Sequence, residues 1–534
     1  MTLSPVGRAA LLCVLCLSWL SATAWLRPLH LPDEGRYVGV AYEMVRSAEW
    51  LTPTLNGLPY FHKPPLFYWL TATSLQIFGH HEWAARLAPM LGATVGALAL
   101  YLFLLRWASQ RTANVTVVAL MAQPLWAVGG QFANLDMLVA GCITATVLLG
   151  AHAVLCVEQG LPHRRVVLMA YTMAALGVLA KGLIGVVLPA LVLLCWLVAS
   201  RALRDRRHQR IWWALCWPPA IALFLFLALP WFVLMEVRFP GFAHYFFVVQ
   251  HLQRFSGGGF NNVQPFWFFP AVLLLFGWPW LPWAAAWRRK SFWTDAGPQR
   301  LRLLMAIWCA LVLLFFSVPQ SKLLGYVLPA VPPLACLLAQ AYLGTAAPTR
   351  TMVRLWWGAA GLAGALSVVA MVVFTVHAPK STRPLALALT QAPAQHAPQP
   401  HPQQPMFMWE QLYFDFPFYA LAQSPVVVVD HWDDPGRSHG DSWRKELADA
   451  ARFAPTSAAA VLLTPAQAAQ RLCHTPSAWL VGGTASATAY AFLAQARVIA
   501  STERATLWHL DTSAPALFKA LGCAGTPNGD SPSK

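Results

Sequence analysis

Charge is what this chain has least of. Only 11% of its 534 residues are charged, against 57% hydrophobic, where soluble domains carry about 25% charge. That deficit excludes an ordinary cytosolic enzyme. Acids are scarcest, 21 Asp and Glu against 37 Lys and Arg, for a formal net charge of +16. The one CxxC pair, Cys13 and Cys16, lies inside a long apolar run, and there is no thiol-rich metal motif and no internal repeat, which leaves out zinc ribbons and solenoids. Composition also excludes disorder, collagen and a disulfide-stapled mini-protein. What abounds is tryptophan, 26 of them, and long apolar runs.

A spanning helix needs about 20 mostly apolar residues. Eleven stretches qualify or nearly so: 9–27, 86–105, 113–129, 135–156, 166–180, 183–199, 213–235, 266–287, 303–317, 323–344 and 355–377. Split or re-entrant pieces raise the expected total to as many as thirteen. An odd count puts the termini on opposite sides. Ala22-Thr23-Ala24 resembles a signal-peptide cleavage site, but the first apolar run is long for that and many spans follow.

A basic excess of this size suggests nucleic acid in a soluble chain and cytoplasmic loops in a membrane chain. Position decides. With the N-terminus inside, the inner loops hold 17 basic residues and three acids, Glu158, Asp205 and Asp295. The outer loops hold nine basic and seven acidic residues, and the segment from 378 onward eleven of each. The excess is therefore a topology signal: N-terminus cytoplasmic, C-terminal segment outside, no nucleic acid.

The C-terminal segment changes composition. Residues 379–405 are rich in Pro, Gln, Ala and His and read as a linker. Strand-like runs follow at Val426–Val429, Ala459–Leu463, Trp479–Val481 and Thr506–Leu510, alternating with helix-like stretches at 465–473, 485–496 and 514–521. This predicts an α/β domain over 406–534 beyond a membrane domain over 1–378, whose large first outer loop spans 28–85. Eight cysteines in or beside spans read as buried hydrophobes. Cys473 and Cys523, both external, are placed where an oxidising compartment permits a disulfide.

In so apolar a chain, ionisable groups at span ends stand out as functional candidates. They gather on the outer side. The first loop carries Asp33, Glu34, Arg36 and Tyr37, where the spacing from Glu34 to Glu49 predicts a short interfacial helix. Its Asn56-Gly57 turn leads to Tyr60-Phe61-His62-Lys63-Pro64-Pro65, a cation in a rigid aromatic setting. Asp136, Lys181, the histidines His244 and His251 with Arg254, and Lys322 with Tyr326 complete the set. Arg36, Lys63, Lys181, Arg254 and Lys322 are donors suited to phosphate, and Asp33 and Asp136 suit a general base or a sugar contact. Arg27, Arg46, Arg86 and Arg238 read as snorkelling anchors.

These motifs, Asp33-Glu34-Gly35-Arg36-Tyr37, NGLPYFHKPPLFYW at 56–69, Lys181-Gly182, PGFAHYFFVVQHLQRF at 240–255 and SKLLGYVLP at 321–329, carry a resemblance. From about residue 31 to 335 the chain resembles bacterial integral-membrane glycosyltransferases of the GT-C fold, in particular the lipid A 4-amino-4-deoxy-L-arabinose transferases, and more loosely the protein O-mannosyltransferases. The resemblance implies a mainly α polytopic fold in the bacterial inner membrane, a periplasmic C-terminal domain, and a monomer in contact with membrane lipids. By position, Asp33 looks like the family's first-loop carboxylate and Asp136 like its second. Arg36, Tyr60, Lys63, Arg254 and Tyr326 look like the residues that hold the polyprenyl phosphate. His62 stands where the family commonly has Glu, an acid that is a candidate metal ligand together with the histidine matching His251. A neutral imidazole also binds zinc, so no cofactor is required and a divalent metal such as zinc stays open at His62 and His251. A second departure, Leu324-Gly325 for the usual Pro-Thr, is expected to alter loop shape without touching a catalytic group.

The expected reaction moves a sugar from an undecaprenyl-phosphate donor to a periplasmic-face acceptor, lipid A phosphate foremost. A protein or polysaccharide hydroxyl, a lipid-linked sugar transporter and an inactive relative are the alternatives. Transporters tend to put ionisable groups at mid-membrane with duplicated halves; here the charges sit at one surface.

Overall fold

Each of the eleven apolar stretches coincides with helix in the computed structural model, which describes residues 4–200, 208–253, 262–295, 299–344, 349–376, 380–391, 404–438, 440 and 442–524. Among the described residues, seven helices are long and apolar enough to cross a membrane: Leu87–Trp107, Leu135–Glu158, Gln209–Arg238, Phe268–Arg288, Gln299–Ser317, Leu324–Leu343 and Arg350–Val376. Val6–Ser21 and Ile184–Ala199 are shorter apolar helices. The chain divides by contacts into two units, one of residues 1–27, 62–71 and 82–376, the other of 28–61, 72–81 and 377–534. Chain order predicts a different division, with all of 1–378 in one domain. The long first loop is instead shared between the units.

In the first unit, two breaks in the expected spans fall at prolines. The stretch read as one span at 113–129 is two helices, Gln110–Ala122 and Pro124–Gly129. Pro124 offers no N–H, and it pushes Gln123 to extended backbone with ψ near 126°. Pro279 and Pro282 likewise turn the second half of the 266–287 stretch into 3-10 helix, Trp278–Arg288. Two glycines set the packing. A Cβ on Gly141 would lie 2.6 Å from the Gly92 carbonyl carbon, so helices Leu87–Trp107 and Leu135–Glu158 meet backbone to backbone. That contact fixes the helix that carries Asp136.

Two of the expected snorkelling arginines in this unit do something else. Arg86 is fully buried and donates to the carbonyls of Ala24 and Arg27; Arg27 donates to the carbonyl of Gln131. They clamp loop backbone that would otherwise lack donors.

The second unit holds helix Asp33–Ser47, a hairpin of strands β1 (Thr54–Leu55) and β2 (Leu58–Pro59), and a six-stranded sheet. Helix 33–47 buries Val38, Val40, Ala41 and Met44 against the protein. Buried Glu43 accepts hydrogen bonds from Asn56 N, Gly57 N and Thr54 Oγ1 and so pins the hairpin to the helix. Arg46, another expected anchor, donates to the carbonyl of Ala422.

The sheet strands are β3 (Met406–Trp409), β4 (Val427–Val429), β5 (Leu462–Leu463), β6 (Ser477–Gly483), β7 (Arg497–Ser501) and β8 (Ala505–Asp511), in the spatial order β5-β4-β3-β6-β8-β7. β3, β4, β5 and β6 are parallel; β8 runs antiparallel to β6 and β7. Phe407, Trp409, Val427, Leu480 and Trp508 fill its core. Cys473 and Cys523 form a disulfide, Cα to Cα 5.6 Å, tying helix Pro465–Cys473 to the segment after helix Pro515–Ala520. Inside the expected linker, Arg383–Gln391 is helical, and buried Asp415 accepts from Ser381 Oγ, Thr382 N and Thr382 Oγ1 at 2.7–2.9 Å ahead of it.

Candidate active site

In the first unit the structure gathers Asp136, Lys181 and Tyr326. Asp136 occupies the first turn of helix Leu135–Glu158, where Asn134 caps the helix by accepting from Asp136 N at 3.0 Å. Lys181 ends helix Arg164–Lys181, stopped by Gly182 at φ +89°. A carboxylate at a helix N-terminus and a cation at a C-terminus each suit the helix dipole. Lys181 Nζ donates to Asp136 Oδ1 and sits 4.2 Å from the centroid of the Tyr326 ring. Both charged side chains are largely buried, 15% and 9% exposed. The pair forms because either charge alone would be costly at the edge of an apolar bundle.

Gly325 forms one wall of this cluster. A Cβ there would fall 2.6 Å from Asp136 Cγ and 2.7 Å from its Cβ, far inside van der Waals contact. The Leu324-Gly325 departure therefore does touch a site carboxylate, contrary to the expectation that it concerns loop shape alone. The 3-10 helix Leu324–Ala330 offers bare backbone to Asp136 and an aromatic face to Lys181.

His62 is buried, and its Nε2 lies 2.8 Å from Tyr245 Oη. Tyr245 in turn accepts from Gln250 Nε2 at 3.0 Å, which links His62, Tyr245 and Gln250 in one chain of polar contacts. Tyr245 and Gln250 lie on the π-helix His244–Gln253, a rare geometry that often marks functional segments. Sequence reading passed over both residues; the aromatic run in 240–255 was the only signal. Lys63 follows His62, half-buried, before helix Leu66–Phe78. Lys322 is a staple as well as a cation: Nζ donates to the carbonyls of Gln264 and Pro319 at 2.8 and 2.6 Å. The His251 side chain and Arg254 lie outside the described residues. Among the described residues no three His, Cys, Asp or Glu side chains gather to hold a metal. Of the expected metal pair only the His62 side chain is described, and its Nε2 is engaged by the Tyr245 hydroxyl.

In the second unit, Asp33 and Arg36 share the first turn of helix Asp33–Ser47. Arg36 Nη2 donates to Asp33 Oδ1 at 2.5 Å, and Nη1 bonds Glu446 Oε1. Burial opposes the Arg36 charge, but Glu446, Tyr60, Tyr37 and Asp33 together hold the guanidinium well above its ordinary value. Asp33 keeps its other oxygen, Oδ2, which no described residue bonds. Gly35 is required here, since a Cβ would reach 2.5 Å from Leu31 Cδ2 and 3.0 Å from Asp415 N. Tyr60 is buried just after the hairpin. Glu446 was invisible in the sequence: it lies 410 residues from Arg36, with no local motif around it.

Comparisons with known proteins bear on the whole. Residues 62–233 match the family model described as dolichyl-phosphate-mannose-protein mannosyltransferase. The undecaprenyl phosphate-alpha-4-amino-4-deoxy-L-arabinose arabinosyl transferase of Aeromonas salmonicida is 33% identical over 316 residues, 59% of this chain and 56% of that protein. A like-named protein of Sodalis glossinidius is 34% identical over 59% of this chain and 55% of its own length. The matched region thus spans a little over half of these relatives. The crystal structure of ArnT from Cupriavidus metallidurans bound to undecaprenyl phosphate superposes with a TM-score of 0.78 at 25% identity, covering 95% of this chain and 98% of that one. An archaeal oligosaccharyltransferase from Archaeoglobus fulgidus, at 14% identity and a TM-score of 0.53, shares the fold alone. The chain is a multi-span membrane protein with the GT-C fold, and the resemblance expected from its motifs is found in both sequence and structure.

Proposed function

We propose that this chain transfers a sugar, an amino sugar by preference, from an undecaprenyl-phosphate donor to lipid A phosphate at the periplasmic face of the bacterial inner membrane. The observation that carries the reading is the superposition on ArnT with bound undecaprenyl phosphate over 95% of the chain. The site chemistry agrees with it. The sugar C1 passes to the acceptor oxygen as the C1–phosphate bond breaks, and the lipid phosphate leaves as an anion. Lys63, Arg36 and Arg254 stabilise the charge on that leaving group. Arg36 suits this role because Glu446 and Asp33 keep it charged and fixed. A phosphate acceptor is already an anion and needs no general base, so Asp33 Oδ2 and the Asp136–Lys181 pair orient the acceptor or hold an ammonium.

The disulfide Cys473–Cys523 supports a C-terminal domain in the oxidising periplasm, and the basic inner loops support a cytoplasmic N-terminus. The mannosyltransferase family model over 62–233 favours one second reading, a protein hydroxyl as acceptor, for which Asp33 would be the base. Mass spectrometry of lipid A from cells with and without the gene separates the two: a sugar increment supports the first reading, and an unchanged spectrum with glycosylated protein supports the second. Lys63→Ala and Asp33→Ala should abolish transfer without loss of expression; retained activity would overturn the site assignment.

A further inference from the structure

The second unit contains a cavity that the transfer reaction does not use. From β3 the chain moves outward to β4 and β5, then returns to place β6 on the other side of β3. In open α/β sheets, such a switch point opens a crevice at the carboxyl ends of the strands, where ligands bind. Glu410 directly follows β3 here, in the left-handed region at φ +57°. A cavity of about 420 Å³, within the size range of small-molecule sites, is lined by Glu410, Arg437 and Arg444.

Its walls are built rather than incidental. Asp430, directly after β4 and only 1% exposed, accepts from Arg437 Nη1 at 2.6 Å and from Arg444 Nε at 2.5 Å. Arg444 Nη2 also donates to the Glu410 carbonyl at 2.9 Å, and its guanidinium lies 4.4 Å from the Trp443 ring centroid. The Glu410 carboxylate is fixed by Tyr490 Oη at 2.7 Å. One buried acid thus orients two arginines, yet each guanidinium carries five N–H donors. Among the described residues only three of those donors find partners.

We propose that this cavity binds a phosphorylated saccharide. Two planar forks of donors suit phosphate oxygens. Glu410, an acceptor on the opposite account, suits a sugar hydroxyl or amine, and its charge disfavours a bare anion. The volume exceeds what inorganic phosphate alone requires, and no apolar side chain among the described lining residues would hold a lipid tail. The ligand is either a soluble sugar phosphate or the phosphorylated head group of a glycolipid. The site does not depend on the transfer reaction proposed above.

The test uses the purified full-length protein in detergent micelles, titrated calorimetrically with glucosamine 1-phosphate, glucose and inorganic phosphate. Glucosamine 1-phosphate should bind about tenfold more tightly than either of the others, and Arg437→Gln should weaken it about tenfold, as expected for one lost charge-assisted bond. Glu410→Gln should reduce the preference for the sugar phosphate over inorganic phosphate. Arg437 is 41% exposed, so its variant tolerates replacement better than Arg444→Gln, which would disturb buried Asp430. Lys63→Ala controls for the membrane site and should leave this binding intact. Competition by vesicles containing lipid A identifies a glycolipid head group, and failure to compete identifies a soluble sugar phosphate. Binding that is absent, indifferent to Arg437→Gln and Glu410→Gln, or lost with Lys63→Ala, would overturn the proposal.

Discussion

The two units handle buried charge in different ways. In the membrane unit, Lys181 has one carboxylate partner, Asp136, and the two sit at facing helix ends against bare backbone and an aromatic ring. In the second unit charges are shared: Arg36 between Asp33 and Glu446, and Asp430 between Arg437 and Arg444. A one-to-one pair has no redundancy, so breaking it strands its partner in low dielectric. A shared group loses only part of its support. The membrane unit should therefore be brittle where the other unit bends.

The sharpest way to break that contrast is to remove one member of the membrane pair. Asp136→Ala or Lys181→Ala should cost about 3–5 kcal/mol of stability, the usual penalty for orphaning a buried charge, and abolish transfer. The double variant Asp136→Asn/Lys181→Met should recover most of the thermal stability but none of the activity. If the double variant is as unstable as the singles, the pair is not the reason for the loss.

Burial without an opposite charge gives the next effect. Burial pushes the Asp415 carboxyl up to about 6, against the pull of its bonds from Thr382 and Ser381. The folded protein then holds this proton more tightly than the unfolded chain. The stabilisation is fully present below about pH 4 and is lost as pH rises to about 6, on the order of 3 kcal/mol. Thermal unfolding between pH 4 and 6 should show that fall, and Asp415→Asn should flatten it.

Gly325→Ala sharpens the comparison without changing a charge. Overpacking of this kind costs about 1–3 kcal/mol, and displacing the Asp136 carboxylate should lower kcat more than it raises the KM for donor. An unchanged kcat would show that the carboxylate position is not critical. The smallest effect belongs to the shared arginine. Glu446→Gln leaves Arg36 its bond to Asp33, so donor KM should rise by about tenfold or less, the scale of one charge-assisted bond, with kcat near that of the unmodified protein.

What was legible in the sequence follows the same division. All eleven apolar stretches and the outer cluster of ionisable residues could be read, because charge is rare enough in this chain to be conspicuous. Of the external strands, those at 426–429, 479–481 and 506–510 were legible, whereas most of 459–463 is the end of helix Pro455–Val461 and the strands Met406–Trp409 and Arg497–Ser501 were missed. Asp136, Lys181 and Tyr326 were each singled out, though not their mutual contact, which depends on how helices cross at Gly92 and Gly141. Arg86 and Arg27 misled as surface anchors, since only tertiary structure supplies the carbonyls they clamp. Glu446 and Tyr245 were missed because a partner hundreds of residues away leaves no spacing to detect. The breaks at Pro124 and Pro279 were available in principle: each proline stands inside a run that hydropathy alone reads as continuous.

The most direct test of sugar transfer is the fate of the donor. Purified protein reconstituted with an undecaprenyl-phosphate-linked aminoarabinose and lipid A should release undecaprenyl phosphate, one for each lipid A molecule that gains a sugar, and Asp136→Asn/Lys181→Met should release none. Donor that stays intact, or is consumed equally by the double variant, would contradict the account.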